Sequence, residues 1–277
     1  MLSGDSARDL VVDEMARLRS SQGLPPDPGN EMLFRFLHLA FEPPGFGDPD
    51  RPPAPTAHLL RPVPFSSSGD EAPPTWLGNL SGRPAVYVTL GTVFNTRSPG
   101  LFEAILDGLR NEPLELILTV GRDRDPAEFG PQPDNVHIER YIPQSLLLPY
   151  CDLAITHAGF STVAAALSHG LPIVSLPIDA DQPVNAERCR LLGAGVTVDH
   201  GRRTPGSIRD ATRTVLSDPS YRRNARRVRD QIAALPGPER AAALLVQLAS
   251  DRQPILVGSR PEEPGQAVGC GPRERSS

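Results

Sequence analysis

The chain has 277 residues, a formal net charge of −5 and an apolar fraction of 39%, so it is long enough for one large or two small domains and offers no charge signal for nucleic acid or an anionic membrane surface. Its three cysteines, Cys151, Cys189 and Cys270, are odd in number and share no ligand spacing, which gives neither a disulfide framework nor a metal site. No charged segment followed by an apolar one opens the chain and no apolar run reaches membrane-spanning length, so there is no sign of a transmembrane segment and the expected compartment is the cytoplasm.

Val11 to Gln22 carries a helical pattern that stops before Gly23-Leu-Pro25-Pro26. Leu33 to Phe41 reads as a strand-like apolar run broken by Pro43-Pro44-Gly45, and residues 43–56 as loop. Ala57 to Val63 reads as a short strand, and 64–84 as a linker in which Pro, Ser, Gly and Asp surround Trp76 and Leu77. Residues 1–63 hold too little apolar content for a domain of their own.

From Ala85 the rhythm changes. Strands are expected at Ala85–Leu90, Leu114–Val120, Val136–Glu139, Leu153–Thr156, Gly170–Leu176 (after a turn) and Val196–Val198. Helices are expected where Leu101, Ile105 and Leu109 share a face, near Ser145–Pro149, over Ser161–His169 and Val184–Leu192, and over 205–217, 219–235 and 238–250. Strands alternating with helices imply an α/β fold with a doubly wound parallel sheet over 85–250, whose ligand lies off the carboxyl ends of the strands. Residues 251–277 are Pro, Gly, Glu and Arg with few apolar groups and are expected to be disordered.

Two clusters at those strand ends carry chemistry. Asp152-Leu-Ala-Ile-Thr-His157-Ala-Gly159-Phe-Ser161-Thr162 hands a strand over to a helix whose free N–H groups and positive dipole end suit a phosphate or diphosphate. Gly159 lets the backbone come close, and His157 adds a donor or a positive charge. Twenty residues on, Asp181-Gln182-Pro-Val-Asn185-Ala186 is a polar cluster after an apolar run, suited to a ligand rich in hydroxyls. Together they suggest a nucleotide-sugar. Neither is decisive alone, because a single His before a helix is usually structural and Asp-Gln is a common dipeptide. The remaining histidines read as packing or surface residues, with His169 at a helix end where its charge suits the dipole. Gly193 and Gly195 read as a helix stop. The arginines at 222, 223, 226, 227 and 229 flank the apolar stripe Ala225, Val228, Ile232 and Leu235 and read as a solvated face, and the absence of lysine as a coding bias.

Tyr87-Val-Thr-Leu-Gly-Thr92, Tyr141-Ile-Pro-Gln144, His157-Ala-Gly-Phe-Ser-Thr162, Gly170-Leu-Pro172, Asp181-Gln-Pro-Val-Asn-Ala186 and Leu192-Gly-Ala-Gly195, in this order, make residues 83–248 resemble the nucleotide-sugar-binding half of a glycosyltransferase family. That family includes bacterial antibiotic and macrolide glycosyltransferases, UDP-glucuronosyltransferases and plant secondary-metabolite transferases. A weaker likeness through Leu24-Pro25, Phe41-Glu-Pro-Pro44 and Pro62-Val-Pro-Phe65 makes 1–63 resemble the end of the family's N-terminal acceptor domain, with 64–84 as interdomain linker.

The resemblance implies a GT-B fold of two facing Rossmann-like domains. It also implies inverting transfer without metal or other cofactor, from a UDP- or TDP-sugar to a hydroxyl of a lipophilic small molecule. His157, Gly159, Ser161, Thr162 and Thr92 are then expected at the diphosphate, Tyr141 stacked on the base, the Ile142 backbone on the base edge, Gln144 near base or ribose, and Asp181 and Gln182 on the sugar hydroxyls. Two positions depart from the family. Ala165 stands where some relatives carry a ribose-binding Glu, and the loop that carries the family's catalytic His is not matched, so no catalytic residue is assigned. Two readings stay open: a glycosyltransferase, or a donor-binding fragment or subunit that needs a separate N-terminal-domain partner.

Overall fold

The structure is a computed structural model that describes residues 4–28, 31–48, 52–63, 72–92 and 98–258. Its centre is a six-stranded sheet of β3 (Ala85–Thr89), β4 (Glu115–Thr119), β5 (Val136–Glu139), β6 (Leu153–Thr156), β7 (Ile173–Ser175) and β8 (Gly195–Thr197). All its pairings are parallel, in the order β5-β4-β3-β6-β7-β8. The doubly wound sheet read from the sequence is therefore the observed one. Its four central strands are buried throughout because both faces are covered, while the edge strands β5 and β8 are only partly buried. On one face Tyr87, Ile117, Ala154 and Ile173 pack with residues of α4 (Phe160–Ser168), α5 (Gln182–Leu191) and α7 (Pro219–Ala233). On the other, Val86, Val88, Leu116, Leu118, Ile155 and Val174 pack with α2 (Leu101–Leu109) and α6 (Pro205–Ser217). The strand order reverses direction between β3 and β6, which places the switch-point crevice of an open α/β sheet at the ends of those two strands.

The apolar stripe expected on α7 is buried at Ala225, Val228 and Ile232. One of its arginines is more than a solvated flank: Arg222 donates to the Asp152 carboxylate (2.6 Å) and to the Asp152 carbonyl (3.0 Å). Gly193 ends α5 in the left-handed region, at φ 65°.

The N-terminal segments differ in detail from the reading above. α1 spans Gly4–Ser21 and so begins before Val11. The run from Leu33 splits into a 3-10 turn at Glu31–Phe34 and a strand, β1 (His38–Phe41), because the Asp27 carboxylate accepts from the N–H groups of Glu31 and Met32 and winds the chain there. β1 pairs in parallel with β2 (Ala57–Leu60) in a separate two-stranded sheet. Of the linker, residues 64–71 lie outside the described residues. Beyond them Leu77 enters the main core, and Trp76 stacks on His137 with ring centroids 4.0 Å apart and donates Nε1–H to Glu139.

The C-terminal segment also differs. After α8 (Pro238–Asp251), residues 252–258 run back along the N-terminal segments instead of being disordered. Ile255 is buried and its N–H bonds the Phe36 carbonyl, His58 Nε2 meets the Ile255 carbonyl at 3.1 Å, and the Val257 N–H bonds the Pro55 carbonyl. Backbone pairing with a segment more than 200 residues earlier has no local signature in the tail's composition. Residues 259–277 lie outside the described residues. Among the described residues no helix is long and apolar enough to cross a membrane.

Candidate functional site

The crevice has a floor of hydroxyls. The last paired residues of the strands stand in one register row, Glu139, Thr119, Thr89, Thr156, Ser175 and Thr197. Thr89 Oγ1 accepts from the Gly91 N–H where β3 ends, Thr119 Oγ1 meets the buried Tyr87 hydroxyl at 2.9 Å, and Thr156 Oγ1 accepts from the Ala158 N–H. Thr92 is exposed just past β3.

His157 stands on this floor. It is only 7% exposed, and its Nδ1 lies 3.2 Å from Thr156 Oγ1. The Cε1–Nε2 edge of the ring lies close to two glycines. A Cβ at Gly91 would stand 2.7 Å from both Cε1 and Nε2, and a Cβ at Gly159 would press on Nε2 and stand 2.9 Å from Cε1. Burial pushes the imidazole below the usual histidine range, opposed by a hydrogen bond with the Thr89 backbone and by the Asp181 carboxylate. Burial thus favours the neutral form of the ring. Ala158 adopts φ 64°, a left-handed conformation that costs a non-glycine residue about 1–3 kcal/mol. This kink lets β6 pass into α4 within three residues. α4 then starts at Gly159 with no side chain capping it, so its first-turn amides, including those of Ser161 and Thr162, are presented at the crevice without a side-chain competitor among the described residues. Ser161 is exposed, while Thr162 is buried. His169 closes the other end of α4, its Nδ1 at 2.9 Å from the Ala165 carbonyl.

The second cluster sits beyond β7. Asp181 is exposed and opens α5, and Ala180 before it is also left-handed, at φ 56°. Gln182 is almost fully buried, and its Oε1 accepts from the Ile178 N–H (2.7 Å) and the Asp179 N–H (3.0 Å). Its carbonyl oxygen thus shapes the turn, leaving only its amide nitrogen for a ligand. Asn185, which the sequence reading did not assign, bridges the two clusters: Nδ2 donates to the Ala158 carbonyl (3.0 Å) and to Asp181 Oδ2 (2.8 Å). The signal was available, because an Asp and an Asn four apart share one helix face.

The residues expected around the base are placed unevenly. Tyr141 is exposed with the Arg122 guanidinium 5.6 Å from its ring centroid, and Ile142 is buried. Gln144 opens α3 (Gln144–Leu147) and turns its amide inward, donating to the Tyr87 hydroxyl (3.4 Å) and to Thr162 Oγ1 (3.3 Å). It supports the first turn of α4 from below. An open groove of about 410 Å³ beside it is lined by Arg61, Gln144, Leu148, Ala165, His169 and Ile232, with Ala165 bringing no carboxylate to it. Among the described residues no group of three or more His, Cys, Asp or Glu is placed to hold a metal ion.

Comparison with known proteins agrees with this fold. The 4'-demethylrebeccamycin synthase of Lentzea aerocolonigenes is 37% identical over 227 residues, covering 82% of this chain and 52% of that protein. The glycosyltransferase SnogD from Streptomyces nogalater superposes with a TM-score of 0.65 at 32% identity over 77% of this chain and 57% of that one. The spinosyn rhamnosyltransferase SpnG complexed with thymidine diphosphate gives 0.67 at 28% over 77% and 56%. The chain spans about half the length of the curated relatives it matches. Residues 103–248, which hold α4, α5 and all but the first strand of the sheet, match the family described as Erythromycin biosynthesis protein CIII-like, C-terminal domain, and the chain belongs to that family.

Proposed function

We propose that this chain carries the donor-binding half of an inverting, metal-independent glycosyltransferase that moves a sugar from TDP- or UDP-sugar to a hydroxyl of a lipophilic small molecule. One observation carries the reading: an uncapped helix start lies beside a buried histidine at the switch point of a parallel sheet. In this reading the α4 amides and His157 hold the charge that grows on the departing diphosphate, doing what a cation would otherwise do. Asp181, with one carboxylate oxygen fixed by Asn185, takes sugar hydroxyls with the other, and the Gln182 amide nitrogen assists. In this reading the exposed Tyr141 ring stacks on the base, with Arg122 as its competitor for the ring face. The acceptor oxygen attacks the anomeric carbon from the face opposite the diphosphate and loses its proton to a base that none of the matched residues supplies. The thymidine diphosphate complex of a relative supports the choice of ligand.

Calorimetric titration of the chain with thymidine diphosphate, uridine diphosphate and thymidine tests this. Binding of a diphosphate is expected, and His157→Ala should weaken it by about 10- to 100-fold, the worth of a hydrogen bond to a charged group, while changing thymidine affinity far less. Absence of diphosphate binding, or equal losses for diphosphate and nucleoside, overturns the proposal.

A further inference from the structure

Asn185 is 6% exposed on the second turn of α5, away from any direct contact that the site reading gives it, yet it holds both halves of the site. Its two amide hydrogens are used on two acceptors, the Ala158 carbonyl and Asp181 Oδ2. The reverse orientation of the amide would set its oxygen against both of those oxygens, so the chemistry fixes which end points where. Each acceptor belongs to a turn with a left-handed alanine. Ala158 lies within the β6–α4 turn that forms the anion cradle, and Ala180 directly precedes the carboxylate proposed to hold the sugar. No other non-glycine residue among those described is left-handed except Arg252, which caps α8. Two strained turns at adjacent strand ends share one side chain as their brace.

From this we infer that Asn185 is a positioning residue that couples the diphosphate cradle to the sugar-binding carboxylate, so that a change at Asp181 is felt at the diphosphate even when no sugar is bound. The inference rests on the donor-site reading above. Nothing is transferred through Asn185. It sets where the Ala158 peptide and the Asp181 carboxylate stand, and the ligand contacts follow.

The test uses two variants of the exposed Asp181, whose replacement does not disturb the core. Asp181→Asn and Asp181→Ala remove the same charge, but only the second removes the acceptor that Asn185 grips. Thymidine diphosphate, which has no sugar, is titrated into the wild-type chain and both variants, and also into Asn185→Ala and the Asp181→Ala/Asn185→Ala double variant. Coupling predicts that Asp181→Ala binds thymidine diphosphate about threefold or more weakly than Asp181→Asn, and that Asn185→Ala costs less affinity in the Asp181→Ala background than alone. Equal affinities for the two Asp181 variants overturn the inference while leaving the donor site intact. Should Asn185→Ala fail to fold, the comparison of the two Asp181 variants still decides the matter. If the wild-type chain binds no nucleoside diphosphate or nucleotide-sugar, the donor-site reading fails and the coupling with it.

Discussion

Gly159→Ala isolates the fit of the His157 ring. Gly159 has φ −61°, which any residue adopts, so the substitution adds no backbone strain, unlike one at Gly91 with φ 75°. What it adds is a methyl group against the imidazole, 2.9 Å from Cε1 and nearer still to Nε2, where carbon atoms ordinarily sit about 3.5 Å apart or more. The ring must therefore shift by at least about 0.6 Å. It is tethered at Nδ1 by Thr156. Overpacking of this kind costs about 1–3 kcal/mol. For a chain of this size that is a fall in melting temperature of about 2–10 °C. Thermal unfolding followed by circular dichroism measures it. The decisive comparison is the double variant: with His157→Ala already present, the added methyl has space, so Gly159→Ala should then cost almost nothing. A Gly159→Ala penalty that is equally large with and without the imidazole would refute the fit described above.

Because burial holds the folded-state pKa of His157 below its ordinary 6.5, the unfolded chain takes up a proton first as the pH falls. The contribution of this residue to stability is present above about pH 6.5 and is lost as the pH falls through the folded-state value, and melting curves of His157→Ala should lack that part of the decline. A bound diphosphate favours the protonated imidazole, so lowering the pH from neutrality should favour thymidine diphosphate binding more in the wild type than in His157→Ala; identical pH profiles for the two would count against the imidazole as an anion contact. Tyr87→Phe deletes the buried hydroxyl between Thr119 and Gln144 and should cost about 1–3 kcal/mol in urea unfolding, with less than about 0.5 kcal/mol marking the network as unimportant. Trp76 is the only tryptophan, so its emission should shift in the same urea range as the circular dichroism of the sheet; a shift at lower urea would show that residues 72–82 dock independently.

The parts of the fold that were legible in the sequence are those written in local patterns. Ala85–Thr89 and Leu153–Thr156 are apolar runs ended near Gly91 and Gly159, and Pro at the first position with Asp or Thr before it marks the starts of α6 and α7. What was not legible depends on distant partners. The docking of Ile255 is decided by Phe36 and His58, and the place of Trp76 by His137 and Glu139. At the site, His157 and Gly159 were readable because a strand–turn–helix handover is local. The inward turn of Gln144 was not, because its partners come from β3 and α4. Gln182 is expected at the sugar from the family resemblance, while its side-chain carbonyl is needed by the turn at Ile178 and Asp179.

The row of threonine and serine side chains beneath the crevice bears on how the protein tolerates acidity. Alcohol groups neither gain nor lose a proton near neutrality, so the polarity of this row stays the same from mildly acid to mildly alkaline solution. The single acid in that row, Glu139, stands on the outermost strand and is engaged by the Trp76 indole. A carboxylate in place of Thr89 or Thr156 would instead put a buried titratable charge beside the His157 ring. Responsiveness to pH is thereby concentrated in the one imidazole that stands on this otherwise unresponsive ground.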